Sequence, residues 1–340
     1  MFRSIATLVF ACIVGVAPAG ARSVTDSAGR AVEVPDHIAR VFAAGPPAAV
    51  LLYALAPQDM IGWVKAPDDA AKPYLLPAVR DLPELGRLTG KGGEPDLDKL
   101  KAARPDLILD FGTIAPAYKT LADRVQAETQ VPYLLIDGSL ANTPAALRLL
   151  GDVLGVHDRG EALARAAEAK LAEVDQVLAQ VPAAERPRVY LARRNDGLQS
   201  GAKGSITNQI VTRLGGIDAV PDLPDDKSGL VVVTVQDLAQ WAPDTIITLE
   251  RGFADKAATA PDWQAVPAVA RHRVFVAPAL PFGFIDEPPS INRLIGLPWL
   301  LHALYPGPAT GDLRQEVRDF YHLFYQVDLD EAALATILTR

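Results

Sequence analysis

The residues of this chain that could do chemistry are cations and rings on loops rather than nucleophiles. Trp63, Tyr74, Lys91, Arg193, Arg194, Lys203, Arg251, Phe253, Phe282 and Phe284 all fall on or near segments that follow short apolar runs. A guanidinium presents a planar fork of donors to an oxyanion and stacks on rings, while an aromatic face covers flat apolar surface. Such a set suits the recognition of a sizeable, flat or anionic ligand, although any one of these residues would also pass as an ordinary solvated loop side chain. Covalent chemistry leaves no comparable mark. The chain has no Gly-x-Ser-x-Gly elbow and no Walker loop, and Gly201-Ala202-Lys203-Gly204-Ser205 lacks phosphate-loop spacing. The histidines His37, His157, His272, His302 and His322 never pair at metal-ligand spacing. No catalytic residue, no bare metal site and no intrinsic cofactor are therefore expected.

Loops can converge on a ligand only if strands and helices aim them. The segment Leu97-Asp98-Lys99-Leu100, followed by Arg104-Pro105-Asp106-Leu107-Ile108-Leu109, returns as Val235-Gln236-Asp237-Leu238, then Ala242-Pro243-Asp244-Thr245-Ile246-Ile247. Each copy reads as a short helix, a Pro-Asp turn and an apolar run too short for a helix. Arg40-Val41-Phe42 and Arg188-Val189-Tyr190 open the two halves in the same way. Further strands are expected at 61–64, 107–111, 133–136, 231–233, 245–249 and 274–276, with helices between them. This alternation implies α/β architecture with mainly parallel sheets, in two Rossmann-like lobes. Open sheets of this kind present ligands at the carboxyl ends of their strands, which is where the loops above lie.

Between the halves the composition changes. From Ala145 to Val181 there is no proline, and Leu163, Ala167, Leu171, Val174 and Leu178 recur every three or four residues. That spacing predicts one rigid amphipathic helix over 161–181, after a break at 155–160. The domain layout expected is a signal segment at 1–21, an amino-terminal lobe at 22–142, a helical segment at 143–182 and a carboxy-terminal lobe with a terminal helix at 183–340. The signal reading rests on Arg3, the apolar run 5–16 and Ala19-Gly20-Ala21, a run too short to span a bilayer. It implies export to the periplasm, and acylation at Cys12 is the weaker alternative. Cys12 is the chain's single cysteine, so a processed chain has no disulfides and no thiol chemistry. A net charge of -8 argues against nucleic acid as a partner.

The closing third carries a resemblance. Pro261-Asp262-Trp263, Val266-Pro267-Ala268-Val269, His272-Arg273-Val274-Phe275 and the run from Pro288-Pro289-Ser290 through Asn292-Arg293 to Leu304-Tyr305-Pro306 follow a known pattern. Together with Leu55-Ala56-Pro57, Ile61-Gly62-Trp63 and both Pro-Asp copies, the chain resembles periplasmic substrate-binding proteins of ABC importers for ferric siderophores, vitamin B12 and related metal chelates. The resemblance implies two lobes bridged by one long helix, a monomer, and delivery of cargo to an inner-membrane permease. It implies iron(III) chelate as cargo first, with corrinoid, haem or nickel chelate as alternatives and Tyr74 or a histidine as a possible axial ligand. It also implies permease docking by a carboxylate on each lobe. Asp98 matches the first position; Gln236 stands at the second, with Asp237 beside it. Asn292 is expected to cap the following helix and Arg293 to pair inside its own lobe. Two rival classes are an enzyme on the same scaffold and a ligand-sensing ectodomain.

Overall fold

The computed structural model describes residues 20–89, 95–224, 229–305 and 311–339. The expected signal segment lies outside these residues up to position 19, and so does Lys91. A hairpin of β1 (Ala21–Thr25) and β2 (Ala31–Pro35) opens the fold. There follow β3 (Val41–Ala43), α1 (Pro46–Leu55), α2 (Leu97–Ala103), β4 (Leu107–Gly112), α3 (Pro116–Thr129) and β5 (Tyr133–Asp137). β3, β4 and β5 form a parallel sheet in that order. The hairpin docks on its edge, where Ser27 N–H donates to Leu135 O at 3.0 Å.

Two helices then cross to the second half: α4 (Thr143–Val153) and α5 (His157–Leu178). α5 has 22 residues, about 33 Å at ~1.5 Å per residue. It starts four residues earlier than its apolar spacing suggests, because Gly155 alone, at φ +70°, breaks the chain there. Gly151 and Gly160 let the two helices touch, since a Cβ on Gly151 would meet Gly160 Cα at 3.0 Å. α5 buries Leu163, Ala164, Ala167, Val174 and Val177. Side chains tie it to both halves. Arg159 Nε donates to Ala54 O at 2.7 Å, and Arg213 donates to Asp175 and to Leu171 O at 2.7 Å each.

The second half runs β6 (Arg188–Ala192), β7 (Gln199–Gly201), α6 (Gln209–Arg213), β8 (Ile217–Asp218), β9 (Leu230–Val232), α7 (Val235–Trp241) and β10 (Thr245–Thr248). It ends with α8 (Arg251–Thr259), α9 (Pro267–Ala270), β11 (Val274–Val276), α10 (Arg293–Leu304), α11 (Leu313–Phe320) and α12 (Glu331–Thr339). β11, β10, β6 and β8 form a second parallel sheet, and β7 with β9 an antiparallel pair. The expected strand at 61–64 is reduced to one bridge, Trp63 to Glu84, because residues 57–89 run mostly as turns.

The duplicated device is built alike in both halves, the two carboxylates differing by one residue in the backbone N–H they accept from. Asp106 N–H donates to Arg40 O and its carboxylate accepts from Ala39 N–H; Asp244 N–H donates to Arg188 O and its carboxylate accepts from Arg188 N–H. Arg104 and Ala242 end α2 and α7 in the left-handed region, at φ 47° and 49°. The Pro-Asp turn therefore staples each helix end to the start of a parallel strand. Among the described residues no helix is long and apolar enough to cross a membrane.

Candidate functional site

The carboxyl ends of both parallel sheets open onto the space between the halves, and two chambers occupy it. The first, of about 830 Å³, takes Pro46, Pro47, Trp63, Lys65 and Arg87 from the first half. Arg193, Arg194, Glu250, Phe282 and Asp286 face them from the second half. That volume suits a drug-sized ligand. The second chamber, about 620 Å³, lies between the loops after β4 and β5 and the segment 202–207.

Trp63 is held rigidly in the first chamber's wall. Its indole Nε1–H donates to Val79 O at 2.8 Å, and its ring lies 5.7 Å from Tyr53 and 6.1 Å from Phe282. Phe282 packs edge-on against Tyr325 at 5.6 Å, so the wall is one face of an aromatic cluster.

β6 delivers the arginines. Ala192 is its last residue, and the chain turns back through Arg193 and Arg194, the latter at φ 68°. Arg193 N–H donates to Gln199 O at 2.8 Å, and Arg194 Nε to Gln199 Oε1 at 3.0 Å. Gly197, at φ +70°, closes the turn over the Phe253 ring, and its carbonyl accepts from Tyr190 Oη at 2.9 Å. The Arg193 guanidinium pairs with Asp286 and approaches Glu287 at 3.6 Å. Burial pulls Arg193 below its ordinary pKa, against the opposing pull of Glu287. The chamber thus mixes Lys65, Arg87, Arg193 and Arg194 with Asp68, Glu250, Asp286 and Glu287.

Sequence reasoning missed these four carboxylates, because acids are abundant here and nothing in their spacing marks them. Of the ligand candidates, Trp63, Phe282, Arg193 and Arg194 meet in one chamber. Lys203 lies in the other. Four further candidates need correcting. Tyr74 is buried edge-on to Tyr321 at 6.4 Å, Phe253 is fully buried 4.9 Å from Trp263, and Phe284 is 1% exposed. Their rings fill cores rather than the cleft. Arg251 is exposed, and its guanidinium donates to Thr339 O of α12. Asn292 stands at the N-cap position of α10, but its side chain makes no cap bond; its amide donates to Gly283 O and Pro288 O. Arg293 does not pair inside one lobe: it donates to Gly138 O of the first half and Ile206 O of the second.

Asp98 is exposed on the first turn of α2, and the capping carboxylate there is that of Asp96, which accepts from Lys99 N–H at 2.9 Å. Gln236 is exposed too. Asp237 is engaged in a capping box, accepting from Thr234 N–H at 2.8 Å and Thr234 Oγ1 at 2.7 Å, bonds that hold its pKa below the usual carboxylate range. Among the described residues no group of three or more His, Cys, Asp or Glu could hold a metal ion.

Residues 61–280 match the family model described as periplasmic binding protein. The molybdate-binding protein MolA of Haemophilus influenzae is 24% identical over 352 residues, covering 94% of this chain and 96% of that protein. An ABC transporter solute-binding protein from Sulfurospirillum deleyianum superposes with TM-score 0.85 at 27% identity, covering 94% of this chain and 99% of the other. The molybdate-bound MolA structure superposes with TM-score 0.73 at 22% identity, over 91% of this chain and 99% of that one. The enzyme alternative gives way here, since the family consists of solute-binding transport components. With its paired parallel sheets and the chambers between them, the chain belongs to the periplasmic binding protein family and is a substrate-binding component of an ABC transporter for a small ligand.

Proposed function

We propose that the ligand is an anionic metal complex, a ferric siderophore first, captured in the first chamber and delivered from the periplasm to the permease. The observation that carries this reading is the meeting of Arg193 and Arg194 with the Trp63 and Phe282 rings in about 830 Å³. Guanidinium forks suit the peripheral oxygens of an anionic chelate, and the rings suit its flat organic faces. The volume exceeds what a four-oxygen anion needs. A haem reading is the weaker for the burial of Tyr74, its axial candidate. On the transporter side, Asp98 is the docking carboxylate of the first half, and Gln236 offers an amide in place of an acid on the second. Asp237 is already occupied by its own cap.

A second reading is a molybdate-type oxyanion, favoured by the likeness to MolA along nearly the whole chain. Titration with a ferric tris-catecholate, a ferric trihydroxamate and molybdate, read by intrinsic tryptophan fluorescence and calorimetry, separates the two. The proposal expects saturable micromolar or tighter binding of a ferric complex. Binding of molybdate alone would replace it with the second reading, and turnover of any complex would exclude both.

A further inference from the structure

We propose that Arg293 is a positioning residue that pins the two halves at a fixed separation and walls the first chamber off from the second. Arg293 is fully buried, yet among the described residues no carboxylate is bonded to it. Its guanidinium is spent on three backbone carbonyls from three segments. Nη2–H donates to Gly138 O at 2.7 Å, just after β5 of the first half. Nη1–H donates to Ile206 O at 3.0 Å in the second half, and Nε–H to Ser290 O at 3.2 Å. Ser290 extends the tie, its Oγ donating to Pro47 O at 2.7 Å, and Gln209 Oε1 accepts from Leu140 N–H at 3.2 Å. Pro47 and Pro289 line the first chamber, while Ile206 and Ser139 line the second. The Arg293 bonds therefore run through the partition.

Arginine is the side chain for this task. Its donors lie in one rigid plane and reach several acceptors at once, whereas an ammonium is a compact point charge on a flexible stem. Burying a cation whose hydrogen-bond partners are carbonyls is costly, and burial draws Arg293 down to about 10 against the opposing pull of Asp137. That cost falls where the two halves meet. α5 and the packing of Tyr53 and Trp63 against Phe282 and Tyr325 already join the halves, and Arg293 adds a rigid polar tie through the partition. A groove fixed before the ligand arrives loses less ordering entropy on binding. This last step rests on the substrate-binding reading above; the geometric claim does not.

The test uses the ligand-free chain with Cys12→Ser, so that spin labels can be placed at Ala117→Cys on α3 and Ala258→Cys on α8, both exposed. Double electron–electron resonance then reads the distance between the halves. With Arg293 intact a single narrow distribution is expected. In Arg293→Gln its width should at least double, while circular dichroism still reports the same secondary structure, and Arg293→Lys should broaden it to an intermediate degree. A purely stabilising role would lower the melting temperature and leave the width of the folded population unchanged, which would overturn the proposal. If Arg293→Gln does not fold, Arg293→Lys decides alone, and a distribution as narrow as the parent's overturns the claim. The affinity for the ferric tris-catecholate should fall tenfold or more in Arg293→Gln. Broadening without binding of that complex by any version would uphold the pin and overturn the ligand reading.

Discussion

Arg193, just past the carboxyl end of β6, is ion-paired with Asp286 in the wall of the same chamber. Asp286 is 3% exposed. An anionic ligand that reaches Arg193 must therefore share it with an internal anion already in place. Asp286 sets how strong an anion is needed to enter, which favours multidentate complexes over simple salts.

Replacing that internal anion should change affinity and stability in opposite directions. Asp286→Asn is expected to tighten the ferric tris-catecholate roughly tenfold, about 1.4 kcal/mol. It should also cost roughly 1–3 kcal/mol of stability by leaving a mostly buried cation with only the more distant Glu287 carboxylate as its ion pair. Calorimetry and urea unfolding read the two effects. Weaker binding in Asp286→Asn would mean instead that Asp286 holds Arg193 in its productive position.

Trp63 is the tryptophan in the first chamber's lining, whereas Trp263 lies in a core of the second half. Trp63→Phe should remove most of the fluorescence change on ligand addition. It should also cost about 1 kcal/mol of stability through loss of the Val79 hydrogen bond. A change that persists at full amplitude would place the ligand elsewhere.

Gly197 carries the turn behind the two arginines, and a Cβ there would sit 2.1 Å from the Phe253 ring. Its φ of +70° adds backbone strain for any other residue. Gly197→Ala should lower stability by roughly 2–4 kcal/mol and weaken ligand binding, because Arg193 and Arg194 lose their support. Urea midpoints with ligand titration check both, and an unaffected midpoint would contradict this account of the turn.

Asp110 is buried on β4, where it accepts from the Tyr133 hydroxyl at 3.0 Å. Burial pushes its carboxyl up to about 6, against the hydrogen bonds from Tyr133 and Phe111. In the unfolded chain it titrates near ~3.9. Between those values the folded protein holds a proton that the unfolded chain has released. This group's stabilisation is thus complete below the unfolded pKa and is lost as pH rises through about 6. The loss is roughly 3 kcal/mol if the whole shift is realised. Unfolding free energies measured from pH 4 to 7 should show that decline in the parent and a flatter profile in Asp110→Asn.

The fold was legible where local chemistry and tertiary role coincide. In Pro105-Asp106 and Pro243-Asp244 the proline follows a helix end and the aspartate ties down a strand, so the same few residues announce both elements. The stripe Leu163, Ala167, Leu171, Val174 and Leu178 marks α5 because one face is packed along its length. The site was legible only in part. Phe253 and Phe282 both follow strands closely in sequence, yet the first falls in the opening turn of α8 and fills a core while the second lines the chamber. Residue type near a strand end does not distinguish the two outcomes; which side of the loop the chain next crosses does. Arg193–Asp286 and Arg293–Gly138 join residues 93 and 155 positions apart, and no pattern within one segment could have paired them.

The central claim is that the first chamber holds an anionic metal complex through Arg193 and Arg194. Native mass spectrometry of the protein isolated from its own host, with metal analysis of the released ligand, tests it most directly. The account predicts one equivalent of a metal-bearing anionic small molecule, lost when Arg193→Ala and Arg194→Ala are combined. A cationic or metal-free ligand, or one retained in full by the double variant, would contradict it.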